Sequence, residues 1–397
     1  MADLFIHNAL LPDGSITSLR VSAGMIASVG GGPAATDELL DASGSLVLPA
    51  MAEAHAHLDK AFLAETVPNP SGDLMGAISA MEAVQATITR AETEARAERA
   101  ARLIARNGAT AIRTHADLTQ ETGLASVAAL LAVRDRLCDL VEIQVFALTF
   151  PIIGPARGEH MSRLQEAIEM GVDGIGGCPH IESDPHAANE AFLAAAADAG
   201  LPLDLHVDET LDPTRFALAD LIERVIATGF PHRVTASHCV SLVMQSPRLQ
   251  AQTSERLAEA GISVIALPSS NLYLQGREHG VATPRALTAV AALRAAGVNL
   301  AAGADNLQDP FNPVGRGDCL ETASLMVTAG HLLPHDAYGS VSTAARIAMG
   351  LPVAGVEVGM VADLVLLPVR STREAIAFAP GGRTVIRAGA LQDFTEG

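Results

Sequence analysis

The sequence Leu46-Val-Leu-Pro-Ala-Met-Ala-Glu-Ala-His-Ala-His-Leu-Asp-Lys60 joins an apolar run of strand length to a cluster of ionisable residues. Its first part, Leu46–Met51, predicts a strand that is buried on both faces, as in a parallel sheet. The ionisable cluster follows the carboxyl end of that strand. Residues i and i+2 of an extended segment face the same side, so His55 and His57 could hold one metal ion.

Apolar runs of strand length recur along the next 250 or so residues, and Ala- and Leu-rich stretches of helical period lie between them. The further strands are predicted at Ala109–Thr114, Ile143–Phe150, Gly174–Cys178, Leu201–Val207, Arg233–Ser237, Ile262–Leu267 and Asn299–Ala304. The helical stretches are Met81–Ile104, Ser126–Leu137, Glu190–Ala199, Ala217–Thr228 and Pro284–Ala296. Eight strand–helix alternations predict a (β/α)8 barrel of the TIM type rather than an open doubly wound sheet. The first connection also lacks a G-x-G-x-x-G sequence, which disfavours a dinucleotide-binding fold.

Both ends of the chain have a different sequence pattern, in which short β-like segments are separated by glycines. These segments are Leu4–Ile6, Leu19–Ser22, Met25–Ser28, Ser45–Leu48, Gly359–Pro368 and Thr384–Arg387. They predict a small β-sandwich domain built from both termini, residues 1–49 plus 352–397. The catalytic barrel then comprises residues 50–351.

Composition limits the class of protein. Of 397 residues, 49% are apolar and 18% are charged, which excludes a disordered chain and allows a large core. The net charge of −19 disfavours nucleic acid and anionic membrane surfaces as partners. No apolar run approaches the roughly 20 residues of a membrane-spanning helix. Four scattered cysteines and an N-terminus without a secretory signal pattern predict a reduced, cytoplasmic protein.

Ionisable residues follow several of the predicted strands, and in a barrel all of these strand ends meet at one rim. The further segments are Thr114-His115-Ala-Asp117, Pro179-His180-Ile-Glu182, His206-Val-Asp-Glu209, Ser237-His238 and Ala304-Asp305-Asn306. His206 and Asp305 would join the first two histidines in a His3Asp set that can leave one position open for water. A divalent metal in such a set lowers the pKa of its bound water and so supplies a nucleophile.

Proton transfer then requires a carboxyl group that is not itself a ligand, and Glu209 follows His206 by three residues. The alternative for Glu209 is a solvent-facing loop residue. His238 could hold or polarise the attacked centre, and its alternative is a residue that caps the next helix.

The order of these motifs along nearly the whole chain resembles the amidohydrolase superfamily, in the branch of cytosine deaminase and isopropylammelide amidohydrolase. The resemblance also includes Arg113-Thr-His-Ala-Asp117, Val234-Thr-Ala-Ser-His238, Leu274-Gln-Gly-Arg277 and Asp305-Asn-Leu-Gln-Asp-Pro310. No lysine stands at the end of the fourth strand, so the subtype with a single metal ion is implied. The resemblance implies His55, His57, His206 and Asp305 as metal ligands.

The same resemblance implies roles for the remaining residues. Glu209 would be the proton shuttle, His238 would orient the nucleophile or stabilise the tetrahedral centre, and Asp305 would contribute to catalysis as well as to binding. The ion would be one divalent metal, Zn²⁺ or Fe²⁺, with Mn²⁺ also compatible with the ligand types. Gln275 lies in a family motif, where shaping the pocket and packing are equal alternatives.

Three further positions bear on the substrate. Ile152 stands where the cytosine enzymes have a glutamine that bonds the pyrimidine amide, and an unpaired polar ring edge costs about 1–3 kcal/mol. Cytosine itself is therefore disfavoured. Asn306 replaces an aspartate of the cytosine enzymes and matches the isopropylammelide enzyme, as does Lys60. Lys60 would place a cation near the rim or form a salt bridge with Asp59 or another acid.

The sequence thus predicts hydrolytic deamination of an amino-substituted nitrogen heterocycle, a pyrimidine or triazine, with release of ammonia. One alternative is hydrolysis of a cyclic amide or removal of a substituted amine at the same metal. An alternative of another class is a metal-bearing binding protein without catalysis. The expected partner is a small heterocyclic substrate, and the resemblance allows a homo-oligomer.

Overall fold

The computed structural model describes residues 3–394, which form sixteen strands in two sheets and thirteen α-helices. The strands are β1 (Leu4–Leu10), β2 (Ile16–Ser22), β3 (Met25–Val29), β4 (Glu38–Asp41), β5 (Leu46–Pro49), β6 (Met51–Ala56), β7 (Ala109–Asp117), β8 (Glu142–Thr149), β9 (Gly174–Gly177), β10 (Leu203–Val207), β11 (Val234–His238), β12 (Ser263–Ala266), β13 (Leu300–Ala302), β14 (Leu364–Leu367), β15 (Thr384–Arg387) and β16 (Ala390–Leu391).

The helices lie mainly between the strands of the second sheet. They are α1 (Leu74–Glu82), α2 (Arg90–Arg106), α3 (Ala125–Arg136), α4 (Arg157–Glu169), α5 (Pro185–Ala199), α6 (Ala217–Thr228), α7 (Pro247–Ala260), α8 (Pro268–Leu274), α9 (Val290–Ala295), α10 (Cys319–Thr328), α11 (Pro334–Ser340), α12 (Thr343–Met349) and α13 (Thr372–Phe378). Within residues 3–394, no helix has the length and apolar character needed to cross a membrane.

The central sheet is the predicted parallel barrel. Strands β6 to β13 pair in sequence order, and each pair is parallel. The first and last strands meet through two backbone hydrogen bonds at their carboxyl ends. Asp305 N–H donates to the His55 carbonyl at 2.9 Å, and His57 N–H donates to the Asp305 carbonyl at 3.2 Å. The (β/α)8 prediction is confirmed, and the bonds that close the seam involve three residues predicted as metal ligands.

The predicted β domain from both termini is also present. Its strands follow the order β16-β15-β14-β5-β1-β2-β3, with β4 also paired to β1. They form one continuously hydrogen-bonded mixed sheet with its own apolar core, which includes Ile6, Leu19 and Leu364. The predicted domain bounds, 1–49 plus 352–397 and 50–351, stay a prediction.

The apolar run that was predicted as the first barrel strand belongs to two strands. Leu46–Pro49 is β5, which pairs with β14 of the terminal sheet, and the barrel strand β6 begins at Met51. Ala50 lies between them and donates its N–H to the Asp363 carbonyl at 2.8 Å. All residues from Leu46 to Ala56 except Pro49 are buried, so hydrophobicity does not mark the change of sheet.

The helices follow the predicted alternation, but several bounds differ: α5 begins at Pro185 rather than Glu190, and α9 covers only Val290–Ala295 of the stretch predicted at Pro284–Ala296. The stretch predicted as Met81–Ile104 contains the end of α1 and most of α2, which starts after Thr89 with a reciprocal capping box to Glu92. Helices α4 and α7 were not predicted, because each is largely polar and buries only three residues. The helix predicted at Ala217–Thr228 is confirmed with the same bounds as α6.

A buried arginine lies inside the barrel beneath the rim. The Arg113 guanidinium donates to Asp204 at 2.9 Å, to Thr235 at 3.2 Å and to the Ala348 carbonyl at 3.0 Å. It also lies over the Phe146 ring, 4.4 Å from the centroid. Burial alone would raise the pKa of Asp204, but His115 and then Arg113 hold that pKa well below its usual value.

Strand β9 leaves room for these large side chains because three of its four residues are glycines. A Cβ at Gly174 would lie 2.2 Å from the Phe146 ring, and a Cβ at Gly176 would lie 2.8 Å from Nδ1 of His115. Since Cβ contacts under 3 Å do not occur in relaxed structures, the glycines are required by packing rather than by backbone conformation.

Replacing Arg113 by Met should lower the free energy of unfolding by about 3–5 kcal/mol, because Asp204 would remain buried without its cation. Equilibrium unfolding in urea measures this change. Arg102→Met is the matched control, since Arg102 forms only a surface i,i+4 pair with Glu98 at 2.8 Å and should cost about 1 kcal/mol or less. Equal effects of the two substitutions would contradict the assigned role of Arg113.

Candidate active site

Three histidines and one aspartate that are distant in sequence converge at the carboxyl ends of the barrel strands. His55 and His57 lie on or just after β6, His206 lies on β10, and Asp305 follows β13. Nε2 of His206 is 3.2 Å from Nε2 of His55 and 3.1 Å from Nε2 of His57. Oδ1 of Asp305 is 3.8 Å from Nε2 of His55 and 3.3 Å from Nε2 of His57. All four side chains are buried.

This donor set fits a divalent metal ion. With metal–ligand bonds of about 2.0–2.2 Å, ligand atoms of a tetrahedral site lie about 3.3–3.6 Å apart, close to the separations observed. Burial, followed by neighbouring positive charge, holds the pKa of His55, His57 and His206 well below the usual value. The imidazoles are therefore neutral, which is the form that binds metals.

The second ring nitrogen of His55 is bonded to Ser237. Nδ1 of His55 is 3.0 Å from Oγ of Ser237, and that hydroxyl donates to Oδ1 of Asp204 at 2.7 Å. A hydroxyl that donates to a carboxylate can accept from Nδ1–H, which leaves the Nε2 lone pair free for a metal. The sequence analysis assigned no role to Ser237 or Asp204. Asp204 lies two residues before His206 in β10 and faces the same side of the sheet, and Ser237 lies two residues after Thr235 in β11 and likewise faces the same side as that residue.

Lys60 lies in the site and forms salt bridges, which was one of the two alternatives that the sequence gave for it. Its Nζ donates to Asp117 at 2.7 Å and lies 3.4 Å from Asp59. The same nitrogen is 3.2 Å from Nδ1 of His57. Burial alone would lower the pKa of Lys60, but Asp117 and Asp59 raise it above its usual value, so the side chain is a fixed cation beside His57.

Glu209 and His238 face each other at the rim. Oε1 of Glu209 is 3.5 Å from Nδ1 of His238, and both side chains are buried. Burial, and then the charge of Asp305, raises the pKa of Glu209 well above its usual value. Burial lowers the pKa of His238 to about 4. A carboxyl group that can hold a proton thus lies beside a neutral imidazole, an arrangement suited to proton transfer.

The backbone at two of these residues is strained. His238 and Asp305 both have φ of 68°, a left-handed conformation that costs a residue with a Cβ about 1–3 kcal/mol.

Glu53 of β6 supports the seam nearby, because its Oε1 accepts the N–H groups of Ala304 at 2.9 Å and His55 at 3.2 Å. Burial raises the pKa of Glu53 to about 8. Sequence reasoning did not single out this glutamate.

A cavity of about 330 Å³ opens beside the cluster. It is lined by seven of the predicted site residues: His57, Lys60, His206, Glu209, His238, Asp305 and Asn306. His180, from a motif to which the sequence assigned no role, also lines it. Asn306 donates to Asp309 at 2.8 Å and accepts from Ser270 at 3.4 Å. The fold therefore brings most of the predicted site to one cavity.

Ile152 does not line this cavity, contrary to its prediction as a substrate-binding residue. Its side chain is fully buried in the core, while the neighbouring Phe150 and Pro151 line the cavity. The N–H groups of Ile152 and Ile153 donate to the Glu182 carboxylate at 2.6 and 3.2 Å. These bonds fix the loop so that the Ile152 side chain packs away from the cavity.

Gln275 also lies outside this cavity. It lines a neighbouring, more open cavity of about 690 Å³, which shares His180 and Glu209 with the first. Its Nε2 donates to Oδ1 of Asn271 at 3.2 Å. The sequence analysis gave packing and pocket shaping as alternatives for Gln275. The side chain is hydrogen-bonded inside the protein and also lines the outer cavity, so it has features of both.

Comparison with known proteins agrees with this geometry. Residues 69–391 match the model of the amidohydrolase family. The chain belongs to this family. The amidohydrolase is 35% identical to pterin deaminase of Rhizobium rhizogenes over 359 residues, which is 89% of this chain and 82% of that protein.

Solved structures give the same result. The crystal structure of 5-methylcytosine deaminase from Klebsiella pneumoniae with 5-fluorocytosine matches with a TM-score of 0.90 and 29% identity, covering 99% of this chain and 98% of that one. That of N-isopropylammelide isopropylaminohydrolase from Burkholderia multivorans matches with a TM-score of 0.85 and 28% identity, covering 98% of each chain. This amidohydrolase is thus a hydrolase of carbon–nitrogen bonds in a metal-dependent superfamily, and its His and Asp cluster could bind a metal.

Replacing Ser237 by Ala should weaken metal binding about 10- to 100-fold, because His55 would lose the partner that fixes its ring and tautomer. Competition with a metal-binding dye measures the affinity. The control is Ser254→Ala, since the Ser254 hydroxyl donates only to a carbonyl of its own helix, that of Gln250 at 2.8 Å. An affinity of Ser237→Ala within twofold of the wild type would rule out this role.

Proposed function

We propose that this amidohydrolase removes an exocyclic amino group from a nitrogen heterocycle by hydrolysis, with release of ammonia. The observation that supports this most directly is that His57, His206 and Asp305 of the His3Asp cluster line one cavity together with Glu209 and His238. Water activation, proton transfer and binding of a small molecule can then occur at the same place. A protein without catalysis would not need a protonatable carboxyl group beside the cluster.

His55, His57, His206 and Asp305 would hold a single divalent ion, Zn²⁺ or Fe²⁺. When bound there, the ion would lower the pKa of a coordinated water toward neutrality and so supply the nucleophile. The chain favours binding by presenting neutral imidazoles and one carboxylate in a buried setting. Ser237 and Asp204 orient His55 from below.

Glu209 would carry the protons of the reaction. It accepts one proton from the attacking water and passes it to a ring nitrogen of the substrate. It then takes a second proton from the hydroxyl that is now bonded to the ring carbon and passes it to the amino group. The carbon–nitrogen bond breaks, ammonia leaves and the remaining oxygen forms a carbonyl. The raised pKa of Glu209 favours a carboxyl group that holds a proton between these transfers.

His238 would orient the nucleophile or stabilise the attacked centre from a position beside Glu209, whose Oε1 lies 3.5 Å from Nδ1 of His238. Because burial keeps its imidazole neutral, His238 acts through one N–H and one lone pair rather than as a positive charge. Burial raises the pKa of Asp305, and a bound divalent ion would stabilise its carboxylate form. Asn306 and Lys60 would contact the substrate or its nearest neighbours.

The substrate class follows from the cavity and the relatives. A volume of about 330 Å³ lies at the lower end of the range for small-molecule sites and suits a ring system of one or two rings. Similar proteins are named for a pterin and for 5-methylcytosine, both amino-substituted heterocycles. Pterin is the first compound to test because its deaminase has the higher identity.

A second candidate is hydrolytic removal of a substituted amine. Its support is the similarity to N-isopropylammelide isopropylaminohydrolase, together with Asn306 and Lys60 in the cavity wall. The two reactions use the same residues and differ in the leaving group. Product analysis separates them, since an alkylamine rather than ammonia would be released.

Glu209→Gln should lower ammonia release about 10²- to 10⁴-fold, because the amide cannot shuttle protons. The assay follows ammonia from pterin, cytosine, 5-methylcytosine and an aminotriazine, with metal content measured in parallel. Glu223→Gln is the control, because Glu223 only pairs with Arg256 on the surface. Unchanged turnover in Glu209→Gln would remove this residue from the mechanism, and alkylamine release without ammonia would favour the second candidate.

Chelation should abolish turnover, and one equivalent of Zn²⁺ or Fe²⁺ per chain should restore it. His206→Ala should retain less than one tenth of the wild-type metal content after dialysis, since His206 lies within 3.2 Å of two other ligand atoms. Elemental analysis of wild type and variant gives both values. Two tightly bound ions per chain, or full metal content in His206→Ala, would contradict the single-ion site.

A further inference from the structure

Asn271 occupies a position from which it can control His238. It lies in α8, is fully buried, and its Oδ1 is 3.1 Å from Nδ1 of His238. The same oxygen accepts from Nε2 of Gln275 at 3.2 Å. Neither sequence reasoning nor the comparisons assigns it a role.

We propose that Asn271 is a positioning residue that fixes the tautomer and ring orientation of His238. The inference rests on the proposed function, in which His238 orients the nucleophile or stabilises the attacked centre. It adds which ring nitrogen is available for that purpose.

The chemistry of the two side chains decides which of them donates the hydrogen bond. A neutral imidazole has one N–H and one lone pair, whereas an amide oxygen can only accept. The contact between Asn271 Oδ1 and His238 Nδ1 is therefore a hydrogen bond only if Nδ1 carries the proton.

The amide of Asn271 has a second contact on the same side. Nε2 of Gln275 donates to the same oxygen at 3.2 Å, while Nδ2 of Asn271 has no hydrogen-bond partner among residues 3–394. These two hydrogen bonds also give a role to Gln275 of the Leu274–Arg277 motif, although Gln275 lies outside the inner cavity. The Gln275 side chain acts on His238 indirectly, through Asn271. The position of helix α8 therefore affects the orientation of the His238 ring, because Asn271 of this helix contacts Nδ1 of His238.

The consequence is a defined role for Nε2 of His238. This atom is buried and has no hydrogen-bond partner among residues 3–394, while His238 lines the cavity. With the proton held on Nδ1, Nε2 presents a lone pair and accepts a hydrogen bond from a reacting group. The opposite tautomer would present a donor at the same place, so loss of Asn271 changes the chemistry of the site rather than its shape.

The first test is spectroscopic and needs no substrate. The Zn²⁺-loaded protein is labelled with ¹⁵N-histidine, and the His238 signals are identified by difference from His238→Asn. We expect a protonated, pyrrole-type Nδ1 and an unprotonated, pyridine-type Nε2 in the wild type. In Asn271→Leu the two tautomers should become mixed or reversed, and in Asn271→Asp, which keeps an acceptor oxygen, the wild-type pattern should persist.

Two variants act as checks on this measurement. Asn271→Ser makes a smaller change, and its short hydroxyl cannot reach Nδ1, so it should repeat the result of Asn271→Leu. Asn189→Leu removes another buried amide, which donates to the Ala217 carbonyl and to Asp220, each at 3.0 Å. The His238 tautomer should be unchanged in that variant even where stability falls.

The second test is a double-mutant cycle on ammonia release. Asn271→Leu should lower kcat about 10- to 100-fold with KM changed less than threefold, and should cause no further loss in the His238→Asn background. A merely structural role would instead give additive losses in the double variant. Additive losses, or a protonated Nε2 in the wild type, would overturn the proposal. Absence of ammonia from every compound with the expected tautomer pattern intact would refute the proposed function and leave the assignment of the tautomer standing.

Discussion

The seam between the first and last barrel strands is the contact on which the site depends. Two backbone hydrogen bonds link His55 and His57 to Asp305, and Glu53 binds the N–H groups on both sides of the junction. These residues are about 250 positions apart along the chain, so their meeting requires the whole barrel to close. The same bonds hold three of the four proposed ligand residues at fixed separations. Closure of the fold and assembly of the site are therefore one event.

Beneath the seam, the barrel interior is unusually polar. Asp204 connects Arg113 to Ser237, and Ser237 in turn contacts His55. Such a network is costly to bury and stabilises the fold only while every member is bonded. Its benefit is orientation, because each link determines where the proton of the next group lies. In helix α8, which follows β12, Asn271 has the corresponding relation to His238.

Several residues of this network were within reach of sequence reasoning. In a strand, alternate residues face the same side, so the parity of His206 also selects Asp204, and the parity of His55 selects Glu53. A polar residue at such a position in an otherwise apolar strand points into the barrel. The strand-end residues were recognised because they are clustered in sequence. The deeper ones were missed because each stands alone among apolar neighbours.

By itself, the sequence determined the strand–helix alternation, the composite β domain and the group of residues that meet at one rim. These follow from local properties, since hydrophobic period and strand polarity are encoded in short segments. Only the tertiary structure decided that the run Leu46–Met51 divides between two sheets and that Ile152 packs into the core. It also decided that the Gln275 side chain is hydrogen-bonded to Asn271, a local contact at the end of helix α8. The first two outcomes depend on contacts between segments far apart in the chain, and such contacts leave no periodic trace in the residues that make them.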